Sequence, residues 1–293
     1  MKIIEILAND GIELDGILYQ SKEKTKKVII SVHGMTSNCF KERDKVIGKL
    51  ANENNIDYFC FNNRGSELVK YISRKNEGKV EKLLGGTTFE DVLDGYEDIV
   101  GAINKINELG YEEIYLQGHS LGCTKIVYTY NKLKEEGKVE ILEKIKGIIL
   151  LSLVDITGTL KYFLGKNYNK CVELAEEKFK SGNTFELMPQ GAFIHPVSAK
   201  TFLRYAKYNE KIDFANYSCD NKLEILNKIE VPLFMRWGND NEMILQKADE
   251  LVEKLNHIIK NKNKDINFID GANHGYQGKE DILAEQIIKF IKK

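Results

Sequence analysis

Short runs of apolar residues, separated by longer amphipathic stretches, constrain the fold of this sequence more than any other feature. The runs lie at residues 27–32, 58–61, 113–117, 145–153 and 231–237. Runs that are apolar nearly throughout are typical of parallel strands covered by helices on both faces. Between them, residues 89–109 carry apolar side chains at helical spacing, and Thr88 followed by Asp91 is typical of a helix N-cap. The alternation predicts an α/β fold with a mostly parallel, twisted, doubly wound sheet.

The remaining segments divide the chain into a body and an insertion. The turn Asn9-Asp10-Gly11 predicts a hairpin within residues 3–20, whereas the polar stretch 66–88 predicts a long loop. We expect later elements as a helix at 42–54, a helix at 244–262, a strand at 265–269 and a helix at 280–292. The alternation lapses from Asp155 to Ile229. We therefore expect a core of residues 1–155 and 229–293, with residues 156–228 inserted between two strands of one sheet.

Charge and cysteine usage exclude several classes of protein. The 293 residues carry 43 Lys and Arg against 44 Asp and Glu, a formal net charge of −1, which argues against a nucleic-acid binder. No stretch approaches the ~20 apolar residues of a membrane helix. Lys2 is followed by charges at Glu5 and Asp10, where a signal peptide has an uninterrupted apolar core. The five cysteines form no CxxC pair. We therefore expect free thiols in the cytoplasm, with no metal, nucleic-acid or membrane partner.

The segment Gly118-His119-Ser120-Leu121-Gly122 carries the strongest chemical signal. It fits the pattern G-x-S-x-G, follows a predicted strand and opens a predicted helix. That context is typical of a nucleophile elbow, in which a tight turn holds the serine hydroxyl clear of the sheet at a helix N-terminus. We therefore predict Ser120 as a nucleophile.

The segment His33-Gly34-Met35 follows an earlier predicted strand. Acyl transfer passes through an oxyanion that needs preorganised N–H donors, one of them the amide after the nucleophile. We predict the amides of Leu121 and Met35 as these donors. His33 is expected to brace the loop or to lie on the substrate side, more than to titrate in catalysis.

A base and an acid follow later in the chain. His274 lies in Asp270-Gly271-Ala272-Asn273-His274-Gly275 after the last predicted strand, where a general base can reach the serine. The acid that orients the base should follow the strand ending at Trp237. Asp240 and Glu242 compete for this role. Asp240 is nearer the strand end and is slightly preferred, whereas Glu242 has the longer reach.

The other histidines have weaker assignments. His119 lies inside the elbow with its side chain expected to point away from the attack direction, and His195 lies in the insertion, either in a lid or in a polar core. His33, His119 and His195 are kept as candidate substrate-binding residues, and His257 is expected to be structural. Aromatic residues of the insertion are expected either to line a pocket or to pack the insertion onto the body: Tyr162, Phe163, Tyr168, Phe179, Phe185, Phe193, Phe202, Tyr205 and Tyr208.

With the elbow, the His-Gly loop, the late acid and the late histidine in this order, the chain resembles the α/β-hydrolase family, and most closely the small bacterial feruloyl- and cinnamoyl-type esterases. The turn Asn62-Asn63-Arg64-Gly65 is also similar to the Asp-x-Arg-Gly turn of that group. The usual position of the acid is occupied by Asn241, between the two competing carboxylates. By this resemblance, residues 156–228 would form a lid between the sixth and seventh strands.

These patterns together predict a serine hydrolase that cleaves carboxylic esters of small to medium acyl or aryl groups through an acyl-enzyme. The expected partner is a small-molecule ester, and no cofactor or metal is needed. The same residues are compatible with thioesterase, amidase or acyltransferase chemistry, and the fold is also compatible with a ligand-binding protein without catalysis. A homodimer stays open, since no pattern tests it.

Overall fold

A single eight-stranded sheet forms the centre of the fold. It is seen in a computed structural model that describes residues 1–207, 212, 217–218 and 223–293. Its strands are β1 (Lys2–Leu7), β2 (Glu13–Tyr19), β3 (Lys27–Val32), β4 (Asp57–Asn62), β7 (Glu113–His119), β8 (Ile145–Leu151), β9 (Leu233–Gly238) and β10 (Lys264–Ile269). In this part of the chain the strand order across the sheet is β1-β2-β4-β3-β7-β8-β9-β10.

The pairing brings several strand ends to one edge of the sheet. β1 and β2 form the predicted antiparallel hairpin, and β2 also runs antiparallel to β4. From β4 to β10 the strands pair in parallel. Val32 lies opposite Gly118, and Leu151 lies opposite His119. The loops that follow β3, β7 and β8 therefore begin next to one another, as ligand sites of open α/β sheets require.

Helices cover both faces of the sheet, as predicted. One face packs residues such as Ile29 and Ile149 against Ile47 and Ile287, and the other packs Leu116 with residues of further helices. The helices of the body are α1 (Glu42–Glu53), α2 (Gly95–Glu108), α3 (Leu121–Glu135), α4 (Val139–Leu142), α9 (Ala248–Ile258) and α10 (Glu280–Ile291). This confirms the α/β fold class. Among the described residues, no helix is both long and apolar enough to cross a bilayer.

Two local predictions differ from the structure. The predicted loop 66–88 contains an antiparallel hairpin of β5 (Lys70–Asn76) and β6 (Lys79–Gly85), most of whose residues are not buried, so no apolar alternation announced it. Asp91 rather than Thr88 acts as a cap, because its side chain accepts a hydrogen bond from the amide of Leu93 at the start of a 3₁₀ turn. The α-helix then begins at Gly95, six residues later than predicted.

The insertion lies between β8 and β9, the sixth and seventh strands of the main sheet. Its described helices are α5 (Ile156–Leu164), α6 (Tyr168–Lys180), α7 (Ala199–Ala206) and α8 (Glu224–Asn227), with a 3₁₀ turn at Gly165–Asn167. Leu160, Ala175, Met188 and Phe202 belong to a small apolar cluster of its own. Tyr208 and Cys219 lie outside the described residues.

Helix α7 is fastened to the body by polar contacts. Arg204 on α7 donates two hydrogen bonds to the Asp91 carboxylate, at 2.9 and 2.8 Å. Thr201 Oγ1 lies 3.1 Å from the carbonyl oxygen of Thr88 and 3.0 Å from that of Glu90. Bonds of this kind are directional, so they fix the position of α7 against the segment before α2.

Candidate active site

Ser120 lies in the tight turn between β7 and α3. Its backbone has φ 54 and ψ −121, a conformation that a non-glycine residue adopts only when the surrounding structure enforces it. The flanking glycines allow this turn. A Cβ at Gly118 would lie 2.6 Å from the Cys123 amide, and one at Gly122 would lie 2.1 Å from the Val32 carbonyl oxygen. The elbow therefore requires glycine at both positions, and it holds Ser120 at the N-terminus of α3.

The loop after β3 passes directly beside the serine. A Cβ added to Gly34 would lie 2.9 Å from Ser120 Cβ. The amide of Thr36 donates to Thr87 Oγ1 at 2.7 Å, and Thr87 Oγ1 donates to the Gly65 carbonyl at 3.0 Å. Thr87, at the end of the stretch that the sequence predicts as a long loop, thus supports the loop that carries Met35.

Glu242 is the carboxylate that the structure places on His274. Its Oε1 accepts from His274 Nδ1 and, at 2.9 Å, from the amide of Met243. Its Oε2 lies 2.7 Å from Ser152 Oγ and accepts from the Gly238 amide at 2.9 Å. Burial raises the pKa of the Glu242 carboxyl, but the bond from His274 and the other donors outweigh burial and lower its pKa below the ordinary value. The group is therefore a hydrogen-bonded carboxylate at neutral pH.

Asp240, the slightly preferred acid, does not contact His274. Its side chain is exposed, and its amide donates to the Ala272 carbonyl at 3.0 Å. The next residue, Asn241, adopts a left-handed φ of 47. In this turn the longer Glu242 side chain lies against the end of β9, whereas Asp240 faces solvent.

His33 is a buried brace of the loop after β3. Its Nδ1–H donates to the Gly34 carbonyl at 2.8 Å, and its Nε2 accepts from the Asn63 amide at 3.2 Å. Burial, with the nearby charge of Lys125, lowers the pKa of His33 to about 3. The neutral ring is thus held inside the protein. This position agrees with a brace of the loop and not with a residue that contacts substrate.

The His119 side chain is also buried, and it contacts the loop that carries His274. Its Nε2 lies 2.7 Å from the carbonyl oxygen of His274. Burial lowers the pKa of His119 well below its ordinary value. A cavity lies beside Ser120. His195 is among the described residues that line it, whereas His33 and His119 are not.

Two buried ion pairs support these loops, and sequence reasoning did not single out most of their members. Lys125 on α3 donates to Glu90 at 2.6 Å and to the Asn63 side chain at 3.0 Å. Arg64 donates to Asp98 at 2.9 and 2.7 Å. The likeness of the 62–65 turn to an Asp-x-Arg-Gly turn was the one available signal. Buried charges need such partners because an unpaired charge is strongly disfavoured in the interior.

A cavity of about 350 Å³ brings the predicted residues together. Ser120, Leu121, Met35 and His274 line it from the body. The other lining residues are mostly apolar and come largely from the insertion: Val154, Ile156, Thr159, Leu160, Phe163, Leu164, Gly191, Ala192, Phe193, Ile194, His195 and Met243. Phe163 and Phe193 are the expected aromatic residues that line it, whereas Phe202 and Tyr205 are buried in apolar clusters. Within the described chain, no group of three or more potential metal ligands lies together.

The family described as "Protein of unknown function (DUF1749)" matches residues 89–292, a range that includes Ser120, Glu242 and His274. No curated protein matches the sequence.

Solved structures of other proteins share the fold. Est1E from Butyrivibrio proteoclasticus, solved with ferulic acid bound, is similar over 98% of this chain and 97% of its own, with a TM-score of 0.61 and 17% identity. A monoglyceride lipase from Saccharomyces cerevisiae covers 98% and 93%, with a TM-score of 0.63 and 13% identity. The α/β hydrolase GrgF from Penicillium covers 99% and 97%, with a TM-score of 0.67 and 16% identity. The chain therefore has the α/β-hydrolase fold, and by its match it belongs to the DUF1749 family of proteins of unknown function.

Proposed function

We propose that the protein is a serine hydrolase that cleaves carboxylic esters of small to medium acyl or aryl groups. One observation carries the proposal. Ser120 and His274 line the same apolar cavity, and the Glu242 carboxylate is bonded to His274 Nδ1. A nucleophile, a base and an acid that orients the base are the parts that acyl transfer requires.

The proposed reaction has two steps. His274 takes the Ser120 proton while Ser120 Oγ attacks the ester carbonyl, and Glu242 stabilises the imidazolium that forms. The tetrahedral oxyanion collapses as His274 gives the proton to the leaving alcohol. Water then attacks the acyl-enzyme while His274 takes its proton. The second tetrahedral intermediate collapses as His274 returns this proton to Ser120 Oγ, which releases the carboxylic acid and restores the free serine.

The amides of Leu121 and Met35 are proposed to hold the oxyanion. Leu121 is the first residue of α3, so helix geometry gives its N–H no partner within the helix. The amide of Ser120 itself is occupied, since it donates to the Leu151 carbonyl at 2.8 Å. Met35 follows Gly34, which lies against Ser120, and both Met35 and Leu121 line the cavity. Donors fixed in this way stabilise developing charge without reorganisation.

The lining of the cavity favours substrates with an uncharged acyl group. Its described lining contains no Asp, Glu, Lys or Arg, so a charged acyl group would lose water without gaining a partner. A volume of about 350 Å³ lies at the small end of the roughly 300–1,000 Å³ range of small-molecule pockets, which suits a medium chain or one ring. His195, whose pKa is lowered by burial, adds a neutral hydrogen-bonding group. We propose that the insertion is the lid of this cavity.

Esters are preferred over thioesters and amides because two proteins of similar fold are described as an esterase and a monoglyceride lipase. Rates on 4-nitrophenyl esters from acetate to dodecanoate test the proposal. We expect the best kcat/KM at intermediate chain length and loss of activity in Ser120→Ala. Ser181→Ala, whose serine lies exposed after α6, should keep wild-type activity. Undiminished hydrolysis by folded Ser120→Ala would overturn the proposal.

A further inference from the structure

His119 connects the nucleophile elbow to the loop that carries the base. It precedes Ser120 in the chain, yet its Nε2 lies 2.7 Å from the backbone carbonyl oxygen of His274, which is 155 residues away. The two imidazole rings also pack with their centroids 5.0 Å apart. One residue of the turn that fixes the serine thus also contacts the residue proposed to take its proton.

The direction of this hydrogen bond follows from chemistry. A carbonyl oxygen can only accept, so Nε2 of His119 carries the proton and donates it. Burial keeps the imidazole neutral, because its pKa lies well below the ordinary value, and the buried Arg43 adds to this effect. The ring therefore holds its proton on Nε2 without placing a second positive charge beside His274.

Few other groups hold the same carbonyl. Ser152 Oγ lies 3.4 Å from it, but Ser152 has closer partners in Glu242 at 2.7 Å and Tyr276 at 3.0 Å. The loop itself contains left-handed residues on both sides of His274, at Gly271 and Tyr276. A loop of this kind has no helix or strand to fix it, so hydrogen bonds set its position, and the bond from His119 is the one made to the backbone of His274 at 2.7 Å.

We propose that His119 is a positioning residue whose Nε2–H bond to the His274 carbonyl fixes the base imidazole relative to Ser120. The inference rests on the proposed function, since it assigns His274 the role of base. His119 is not a catalytic residue, because it is not among the described residues that line the cavity and so does not touch the substrate. It acts on the geometry of proton transfer, to which rates are steeply sensitive.

Two substitutions separate the hydrogen bond from the ring. His119→Gln places an amide N–H near the position of Nε2, whereas His119→Leu removes the donor and keeps an apolar side chain of similar bulk. We expect kcat to fall about 30-fold in His119→Leu with KM within about 2-fold, and about 3-fold in His119→Gln, below the ~100-fold cost of an ångström displacement. His257→Gln makes the same exchange on an exposed helix position and should match wild type.

The rate of fluorophosphonate labelling of Ser120 should follow kcat, since labelling needs the base but not the natural substrate. The melting temperature of each variant reports folding separately. If His119→Leu does not fold, His119→Asn replaces it, because its shorter amide cannot reach the carbonyl, and we expect the same loss of kcat.

Equal kcat in wild type and in a folded donor-free variant would overturn the inference, as would an equal loss in the Gln and donor-free variants. These results leave the proposed function intact. An inactive wild type, or an active Ser120→Ala, would instead overturn the proposed function and the inference together.

Discussion

The floor and the roof of the cavity are built by different physical means. The floor consists of the loops after β3, β7, β9 and β10, where directional hydrogen bonds fix almost every proposed functional group. Glu242 alone accepts from four groups, and its side chain is 2% exposed. The roof is the described part of the insertion, whose lining is mostly apolar. On α5, Tyr162 is 73% exposed and Phe163 is 62% exposed.

The difference separates chemistry from specificity. Hydrogen bonds demand particular atoms at particular positions, so the floor tolerates little change. Apolar contacts are not directional, so the roof can change shape while it still excludes water. Helix α7 of the insertion is nevertheless fixed to the body, because Arg204 on α7 binds Asp91. We therefore expect substitutions of the hydrogen-bonded groups of the floor to lower kcat, and substitutions on α5 to change substrate choice.

The largest expected effect comes from the base. His274→Gln should lower kcat about 10⁵-fold, because the serine loses its base. The other described histidine that lines the cavity is His195, which lies on the insertion. Initial rates on 4-nitrophenyl butyrate measure it, with His257→Gln as control. A loss below tenfold would show that another group removes the serine proton.

The next largest effect separates the two carboxylates, Glu242 and Asp240, that the sequence left as candidates for the acid. Glu242→Gln should lower kcat by about 10³- to 10⁴-fold, since the imidazolium loses its carboxylate partner. Asp240→Asn should leave kcat within about 2-fold, because that side chain is exposed. The reverse ranking of the two variants would refute the assignment of Glu242.

The close approach of Gly34 to the serine predicts a third effect. Gly34→Ala adds a Cβ that would lie 2.9 Å from Ser120 Cβ, so the loop or the serine must move. We expect kcat to fall about 100-fold. Gly182→Ala has a strained φ of 83 but open space around it, so it should lower the melting temperature without lowering kcat. Equal kcat in both variants would contradict the close packing of the floor.

The buried neutral histidines should make the floor sensitive to acid. His33 has a pKa of about 3 in the folded protein against 6.5 for the free side chain, so the unfolded chain binds more protons as pH falls below 6.5. Its share of the free energy of unfolding should therefore drop by about 2 kcal/mol between pH 7 and pH 5. Urea unfolding at both pH values should show a smaller drop in His33→Gln. His195→Gln, in the partly buried roof, should retain most of the wild-type drop.

The smallest expected effect lies in the roof. Phe163→Ala removes a ring that lines the cavity, so KM for longer acyl esters should rise about 5-fold, roughly 1 kcal/mol, with kcat on acetate little changed. Tyr162→Ala, its more exposed neighbour outside the lining, should change neither value. A collapse of kcat on every ester would mean that the roof also fixes the reacting groups.

The same contrast explains what the sequence could predict. The elbow, the His-Gly loop and the position of His274 depend on short patterns, in which tight turns demand glycine and each strand end is marked by its apolar run. The mostly parallel sheet and the place of the insertion between two of its strands follow from the same runs. These features needed no knowledge of distant contacts.

Other features depend on contacts that spacing does not encode. Asparagine adopts a left-handed φ more readily than most residues, but the sequence does not show that Asn241 rather than Asn239 does so after β9. This turn brings Glu242 rather than Asp240 to the base. The bond from His119 to His274 joins residues 155 positions apart, so it appears only in the folded chain. The lining of the roof includes Ile156, Leu160 and Ile194, which are ordinary apolar residues in the sequence. The hairpin β5–β6 could not be predicted from apolar periodicity, because exposed strands need no apolar pattern.

The most direct test of the account is covalent labelling of Ser120. The purified protein is treated with a fluorophosphonate probe, beside Ser120→Ala and Ser181→Ala, and the adduct is located by peptide mass spectrometry. We predict one adduct on Ser120 in wild type and in Ser181→Ala, and none in Ser120→Ala. An adduct elsewhere, or no adduct on folded wild-type protein that hydrolyses esters, would contradict Ser120 as the activated nucleophile.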